Sequence, residues 1–137
     1  MKVSVVRQYS VFMPNRLGAL TELSRHFAER GVNVIGIASE VRDDSGLVRI
    51  ALDGDEDHSG ILSKAGYASV ETSLLSVELG DEPGQLHRLT RLLSDNGINI
   101  TTVYATALGR GNSRVLLAVE NARRAARVLE LAAEAVA

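Results

Sequence analysis

The stretch "NRLGALTELSRHFAERGVNVIGIASE" at residues 15–40 sets the architecture of the chain, because it recurs 66 positions later. Residues 81–106 read "DEPGQLHRLTRLLSDNGINITTVYAT", and six positions carry the same residue in both copies. The six pairs are Gly18 with Gly84, Leu20 with Leu86, Leu23 with Leu89, Arg25 with Arg91, Gly31 with Gly97 and Asn33 with Asn99. Self-similarity at a fixed spacing is typical of repeated structural units, so the sequence predicts a duplicated module.

Each copy predicts a helix that follows a turn and ends at a glycine. Apolar residues recur at the i, i+3 and i+7 positions, which place them on one helix face. Gly31 and Gly97 stand where a helix would end on a left-handed residue. We therefore expect a buried helix face in each copy, with these leucines in the core: Leu20, Leu23, Leu86, Leu89 and Leu93.

The remaining segments read mostly as strands. Residues 3–13 are rich in valine and aromatics, while "RDDSG" and "GRGNS" predict hairpin connections. A short, weak helix is expected before Gly66, because Gly60 costs about 1 kcal/mol relative to alanine. The order strand–helix–strand–strand–helix–strand predicts an α+β fold of two ferredoxin-like βαββαβ modules, each an antiparallel sheet with helices on one face.

We place the first module at residues 1–73 and the second at residues 74–137. In the second copy the last helix, "ARRAARVLELAAEAVA", uses up the chain, so its final strand is missing. A missing strand would leave an unpaired sheet edge, which proteins usually cover. We therefore expect a homodimer.

Composition excludes several classes of protein. The chain has 137 residues, a net charge of −2 and no cysteine. This charge gives no electrostatic case for nucleic acid or an anionic membrane as a partner. Without cysteine there is no disulfide or thiolate metal site. No apolar run approaches about 18 residues and no signal-peptide pattern opens the chain, so we expect a cytoplasmic protein that is not a membrane protein.

The doubled pattern resembles the ACT domain. That family opens its first helix with D/N-x-x-G-x-L and its second strand with G-[VI]-N-[VI]. The first copy supplies Asn15, Gly18 and Leu20, followed by "GVNV" at 31–34; the second supplies "DEPGQL" at 81–86 and "GINI" at 97–100. The second copy has the common proline and the first has leucine instead. The resemblance covers nearly the whole chain. The chain is similar to tandem ACT proteins in which two modules occur without a catalytic domain.

The resemblance implies a non-catalytic regulatory protein that binds a small molecule, usually an amino acid, between two modules. In such domains the turn before the first helix of one module faces the second strand of its neighbour. One implied site comprises Asn15, Leu17, Gly18, Ala19 and Leu20 with Ile98, Asn99 and Ile100. The pseudo-symmetric site comprises Asp81, Pro83, Gly84, Gln85 and Leu86 with Val32, Asn33 and Val34.

These residues suit recognition of a free amino acid. The unpaired N–H groups at a helix N-terminus favour a carboxylate. The two glycines let ligand atoms approach the backbone. Asn15 or Asp81 is expected to cap its helix and to accept a hydrogen bond from the ligand ammonium group. Asn33 and Asn99 supply amide donors and acceptors. No step needs a titrating group or a cofactor.

A purely structural interpretation stands beside this one, since a polar residue and a glycine also shape any tight strand–helix junction. Asn33 and Asn99 can equally be residues that start a strand. A ligand-independent module that dimerises, or docks on a metabolic enzyme or regulator, is the alternative function.

Other functions on this fold match the sequence poorly. The histidines His26, His58 and His87 lack the spacing of metal ligands, and "DGDEDH" at 53–58 lacks the pattern of a calcium loop. The third strands "LVRIALD" and "RVLLAVE" carry no aromatics for stacking RNA bases. The single arginine of "MPNRLG" is a poor match to an acylphosphatase loop, and no Ser–His–Asp or Cys–His set is present.

Overall fold

The computed structural model describes the backbone of residues 1–136 and the side-chain environment of residues 1–134. Its helices and strands follow one another in the order β1 (Lys2–Pro14), α1 (Ala19–Glu29), β2 (Val34–Arg42), β3 (Ser45–Leu52), α2 (Ser59–Lys64), β4 (Ala68–Gly80), α3 (Gln85–Asp95), β5 (Ile100–Gly109), β6 (Asn112–Val119) and α4 (Ala122–Val136). The sequence-based prediction of two ferredoxin-like modules is confirmed.

The chain divides into two compact units. The first unit is Val6–Thr72, and the second unit combines Met1–Val5 with the chain from Ser73 onward. Both β1 and β4 are 13 residues long, and each contributes one part to each unit.

In the first unit the strands lie in the order β2-β3-β1-β4. β1 pairs antiparallel with β3 from Arg7 opposite Leu52 to Pro14 opposite Ser45. β2 pairs antiparallel with β3 and has one irregularity between Val34 and Gly36. The core packs α1 and α2 against one sheet face. Its buried residues are Tyr9, Val11, Met13, Ala19, Leu23, Phe27, Val48, Ile50, Leu52, Ile61 and Leu62.

The hydroxyl group of Tyr9 is a polar group within this core, and it has a hydrogen-bond partner. The Tyr9 side chain is fully buried, and its hydroxyl oxygen accepts a hydrogen bond from the His58 backbone N–H at 2.9 Å. Burial raises the pKa of the Tyr9 phenol. The Asp57 carboxylate accepts a hydrogen bond from the Ser59 N–H at 2.9 Å. This bond stabilises the first residue of α2.

The second unit has the strand order β1-β4-β6-β5, to which β1 contributes its first residues. β4 pairs antiparallel with β6, and β6 with β5. Val3 and Val5 pack against the core of this unit, which is formed by Leu75, Val77, Leu79, Leu89, Leu93, Ile98, Val115, Leu117, Val119, Ala122, Ala125, Ala126 and Leu129.

The edge of β4 that we expected to be unpaired is therefore occupied by the start of the chain. Residues 74–136 supply three strands and two helices to the second unit, and Met1–Val5, which precede the first unit in sequence, supply the fourth strand. The sequence did not reveal this, because "KVSVV" reads simply as the beginning of the first module's strand.

Candidate functional site

The turn between β1 and α1 is held against the hairpin that joins β2 to β3. The Asn15 backbone N–H donates to Asp44 O at 2.9 Å, and the Asn15 side-chain amide donates to Asp43 O at 3.0 Å. The Ala19 N–H then donates to Arg16 O at 3.2 Å and closes the turn. The role of Asn15 is thus to tie the turn to the hairpin.

The turn between β4 and α3 repeats this geometry. The Asp81 N–H donates to Gly111 O at 2.7 Å, again at a β-hairpin, and the Gln85 N–H donates to Glu82 O at 3.3 Å. The duplication therefore preserves the backbone hydrogen bonds of the turn, although most of its side chains differ between the copies.

Glycine occupies the N-cap position of both helices. Gly18 has a φ of 81° and Gly84 a φ of 89°, and neither helix has a side-chain capping bond. The predicted caps, Asn15 and Asp81, are therefore wrong. Each lies three residues before the N-cap, because two further turn residues and a left-handed glycine separate it from the helix.

The N-termini of α1 and α3, which we call the helix openings, have backbone N–H groups without an acceptor among the described residues. The first i to i−4 bonds are from the Glu22 N–H to Gly18 O and from the Arg88 N–H to Gly84 O, both at 3.0 Å. Within the part of the chain that the structure describes, the two N–H groups preceding each of these donors have no acceptor; they belong to Leu20, Thr21, Leu86 and His87. A Cβ built on either glycine would meet nothing within 4 Å. The space above each helix opening is open to a ligand.

Apolar side chains surround these donors and face solvent. Leu17 is fully exposed, Leu20 is 45% exposed and Leu86 is 53% exposed. The expectation that Leu20 and Leu86 are core residues is wrong, whereas Leu23, Leu89 and Leu93 are fully buried. The helices start one residue earlier than the leucines, so Ala19 rather than Leu20 occupies the buried position of the first turn in α1.

The charges beside the two turns are reversed between the copies. In the first unit Arg16 donates to the Glu22 carboxylate at 2.7 Å, and this contact lowers the pKa of Glu22. The corresponding residues in the second unit are Glu82 and Arg88, and they form no ion pair within 4 Å. The first turn therefore carries a surface ion pair that the second one lacks.

A groove of about 350 Å³ lies beside the second turn. The predicted residues Asp81, Gln85 and Leu86 line it, and so do Leu79 and Val115 from the buried sheet face. Residues that the sequence did not indicate complete the lining: Glu82 from the turn, Ala105, Thr106 and Ala107 from β5, and Ser113 from β6. Only the strand register, with Thr106 opposite Arg114 and Ala107 opposite Ser113, brings them to this position.

The residues at the two strand starts lie elsewhere within their own units. Val32 and Asn33 line a groove of about 580 Å³ that includes Arg30, Asp53 and His58. The Asp53 N–H donates to Asn33 O at 3.2 Å, and Val34 begins β2. Since β2 has nine residues, this strand start lies about 26 Å from the hairpin that holds the first turn.

The second unit repeats this separation. Ile98 is buried and lines a groove of about 400 Å³ with Glu120, Asn121 and Arg124. Asn99 is exposed, and Ile100 begins β5. Within one unit the structure thus brings together the residues of the turn, Pro83 and Gly84 included, but not the turn and the strand start of that same unit.

The described residues hold no arrangement of three or more histidine, aspartate or glutamate side chains that could bind a metal ion. His58 lies 3.8 Å from the Glu56 carboxylate, and His26 contacts the Tyr67 ring edge-on at 5.8 Å. These contacts are those of surface and packing histidines. Over residues 1–136, the helices are each too short or too polar to cross a membrane.

The family model described as "ACT domain pair" matches residues 4–135, and the chain belongs to this family. The duplicated helix openings and the doubled split-βαβ fold are therefore those of a tandem ACT protein. ACT domains are regulatory domains.

Solved structures show the same fold at low sequence identity. Protein BT0572 from Bacteroides thetaiotaomicron is 23% identical, with a TM-score of 0.81 over 93% of this chain and 88% of that one. The regulatory subunit of aspartate kinase from Thermus thermophilus, in a ligand-free form, is 16% identical, with a TM-score of 0.69 and 96% of each chain covered. The regulatory subunit of aspartate kinase from Thermus flavus is also 16% identical, with a TM-score of 0.60 over 96% of this chain and 97% of that one. No curated protein matches the sequence significantly.

Proposed function

We propose that this ACT pair is a cytoplasmic regulatory protein that binds a free amino acid, or a similar small carboxylate-bearing metabolite, at its helix-opening turns. In this proposal the ligand carboxylate is bound by the N–H groups that follow Gly18 or Gly84. The ligand side chain contacts the exposed leucine of the same turn, Leu20 or Leu86. The strand start that completes each site, Val32–Val34 or Ile98–Ile100, comes from a second ACT unit.

The unused backbone donors carry this proposal. Each helix opening presents two N–H groups without an acceptor in the described chain, under a glycine whose surroundings are open. Such donors lie at the positive end of the helix dipole and favour an anion. The geometry is the same in both copies although the side chains differ, which is expected if the backbone performs the recognition.

The groove beside α3 also suits a ligand of the size of a free amino acid. Its volume of about 350 Å³ lies at the lower end of the range for small-molecule sites, and its lining combines apolar and polar groups. Asp81 is exposed at its edge, where its carboxylate can pair with an ammonium group.

A thermal-shift screen of the twenty amino acids tests this function. A ligand at a concentration 100 times its dissociation constant stabilises the folded state by about 2.7 kcal/mol. In a chain of this size the midpoint of unfolding should rise by roughly 6–12 °C. If no amino acid shifts the midpoint, the alternative of a ligand-independent module that docks on an enzyme or regulator replaces this proposal.

We further propose that the protein is a homodimer whose contact involves β2, the end strand of the first unit. Ile37 and Val41 lie on one face of β2 and are 48% and 52% exposed, so the strand offers both apolar surface and unpaired backbone groups. Ile37→Lys should shift the protein from dimer to monomer in analytical ultracentrifugation. Val103→Lys, at an equally exposed position on the end strand β5, is the matched control. A wild-type monomer at high concentration would contradict the dimer, and equal effects of both variants would contradict the assignment to β2.

A further inference from the structure

A second concave surface lies between α3 and α4 of the second unit, and it shares Leu79, Gly80 and Gln85 with the groove of about 350 Å³ beside the second turn. We call it the helix groove; it has a volume of about 430 Å³. Its walls are the start of α3, at Gln85 and Arg88, and the end of α4, at Ala132 and Ala133. Because the two alanines project only a methyl group, the helices do not fill the space between them at this end.

The apolar lining of the helix groove is only partly accessible. Leu92, Ala132 and Ala133 are half-buried and line the groove, and Leu79 and Leu89 lie beneath them with 6% and no exposure. Farther along the same two helices, Leu93 and Leu129 are fully buried and close the interface. Burying the apolar part of a ligand against the half-buried residues would be favourable.

The rim of the helix groove carries an excess of positive charge. Arg88 and Arg91 line it, with Asp95 as the one acidic side chain of the lining, so two cations face one anion. Asp95 lies 3.7 Å from the Arg91 guanidinium and forms an ion pair with it. Arg88 has no carboxylate within 4 Å among the described residues, and its guanidinium is available to an anionic ligand.

The first unit does not repeat this feature. The residue that corresponds to Arg88 in the duplication is Glu22, which is paired with Arg16 at 2.7 Å. The helix beside α1 is also different, since α2 has six residues and α4 has fifteen. The cationic rim is therefore a property of the second unit and not a general consequence of the fold.

We propose that the helix groove binds a small amphiphilic carboxylate, with its hydrocarbon part on Leu92 and the two alanines of α4 and its carboxylate at Arg88. Guanidinium groups pair with carboxylates through two parallel hydrogen bonds, and this geometry is favourable at a partly apolar site. The volume of the groove falls within the range of small-molecule sites. In this site the Arg88 side chain binds the ligand carboxylate, whereas backbone N–H groups bind it in the site proposed at the turn before α3.

Calorimetric titration of the full chain with octanoate tests this site, with octanamide as the neutral probe of the same length. Octanoate should bind saturably, and octanamide should bind about tenfold more weakly, because it lacks the charge that Arg88 recognises. Arg88→Gln should weaken octanoate binding by about tenfold and remove the preference over octanamide. Ala133→Leu, which fills the groove, should weaken both probes.

Arg25→Gln is the matched control, because Arg25 is an exposed arginine of α1 whose ion pair with Glu29 mirrors that of Arg91 with Asp95. Octanoate affinity should be unchanged in this variant. The inference is overturned if the wild type shows no saturable octanoate binding below about 10 mM. It is also overturned if octanamide binds equally well, or if Arg88→Gln and Ala133→Leu both retain wild-type affinity. An amino acid found in the thermal-shift screen should not compete with octanoate, so the two sites can fail independently.

Discussion

Gly84 has a backbone φ of 89°, and a Cβ added to it would meet nothing within 4 Å, so the residue turns the chain into α3 without covering the N–H groups that follow it. Any L-residue at this φ is strained, and asparagine and aspartate tolerate it better than other residues. A substitution can therefore test the site without a large cost in folding.

Gly84→Asp and Gly84→Asn form a pair that separates charge from size. Both variants add a side chain of the same size at the residue that precedes the unused N–H groups, and both are expected to lower stability by about 1 kcal/mol. The aspartate variant should abolish binding of the amino-acid ligand at the second turn, because it places a negative charge where the carboxylate binds. The asparagine variant should weaken binding less. Binding is measured by calorimetry on protein shown to be folded by circular dichroism, and unchanged affinity in the aspartate variant would place the site elsewhere.

The helix caps are residues that the sequence pattern did not predict correctly. Asn15 and Asp81 fit the sequence pattern of a helix cap, but the structure has Asn15 donating to the β2–β3 hairpin and glycine at the N-cap. Which acceptor a polar side chain near a turn finds depends on the hairpin that packs beside it. That hairpin is about thirty residues away in sequence.

Helix α3 contains both fully buried and exposed leucines. Leu89 and Leu93 are fully buried, whereas Leu86 is 53% exposed one turn earlier. The spacing of apolar residues predicted the helix and its buried face, but not the residue at which that face begins.

Leu89→Ala should therefore lower the free energy of unfolding by about 2–5 kcal/mol, the usual cost of truncating a fully buried leucine. Leu86→Ala should lower it by less than about 1 kcal/mol. The pair shares residue type, helix and substitution and differs in burial. Urea denaturation with a common m-value gives both numbers. Similar losses for the two variants would contradict the assignment of Leu86 to the surface, and a loss of ligand affinity in Leu86→Ala alone would support its role in the turn site.

For the whole molecule, the assignment of Met1–Val5 to the second unit is the feature with the largest consequence. Val3 and Val5 pack against the core formed by β4, β6, α3 and α4, although they precede the first unit, Val6–Thr72, in sequence. The second unit therefore depends on both ends of the chain.

Val5→Asp should destabilise the second unit, because it places a carboxylate against an apolar core without a partner. Hydrogen exchange should show faster exchange in β6 and α4 of the variant than in the wild type. Ser4→Asp is the matched control, since Ser4 is exposed and its side chain points to the opposite face of β1. Equal exchange in the two variants would contradict the packing of Val5 in this core.

The sequence by itself determined the duplication, the order of helices and strands, and the glycines that end α1 and α3. These features are local, since they follow from apolar periodicity and from the backbone freedom of glycine within a few residues. The tertiary structure alone decided that residues 1–5 complete the second unit, that Leu20 and Leu86 face solvent, and that Thr106 and Ser113 meet Asp81 at one groove. Each of these depends on strand register and on contacts between segments far apart in the chain, and a pattern read along one segment carries no record of them.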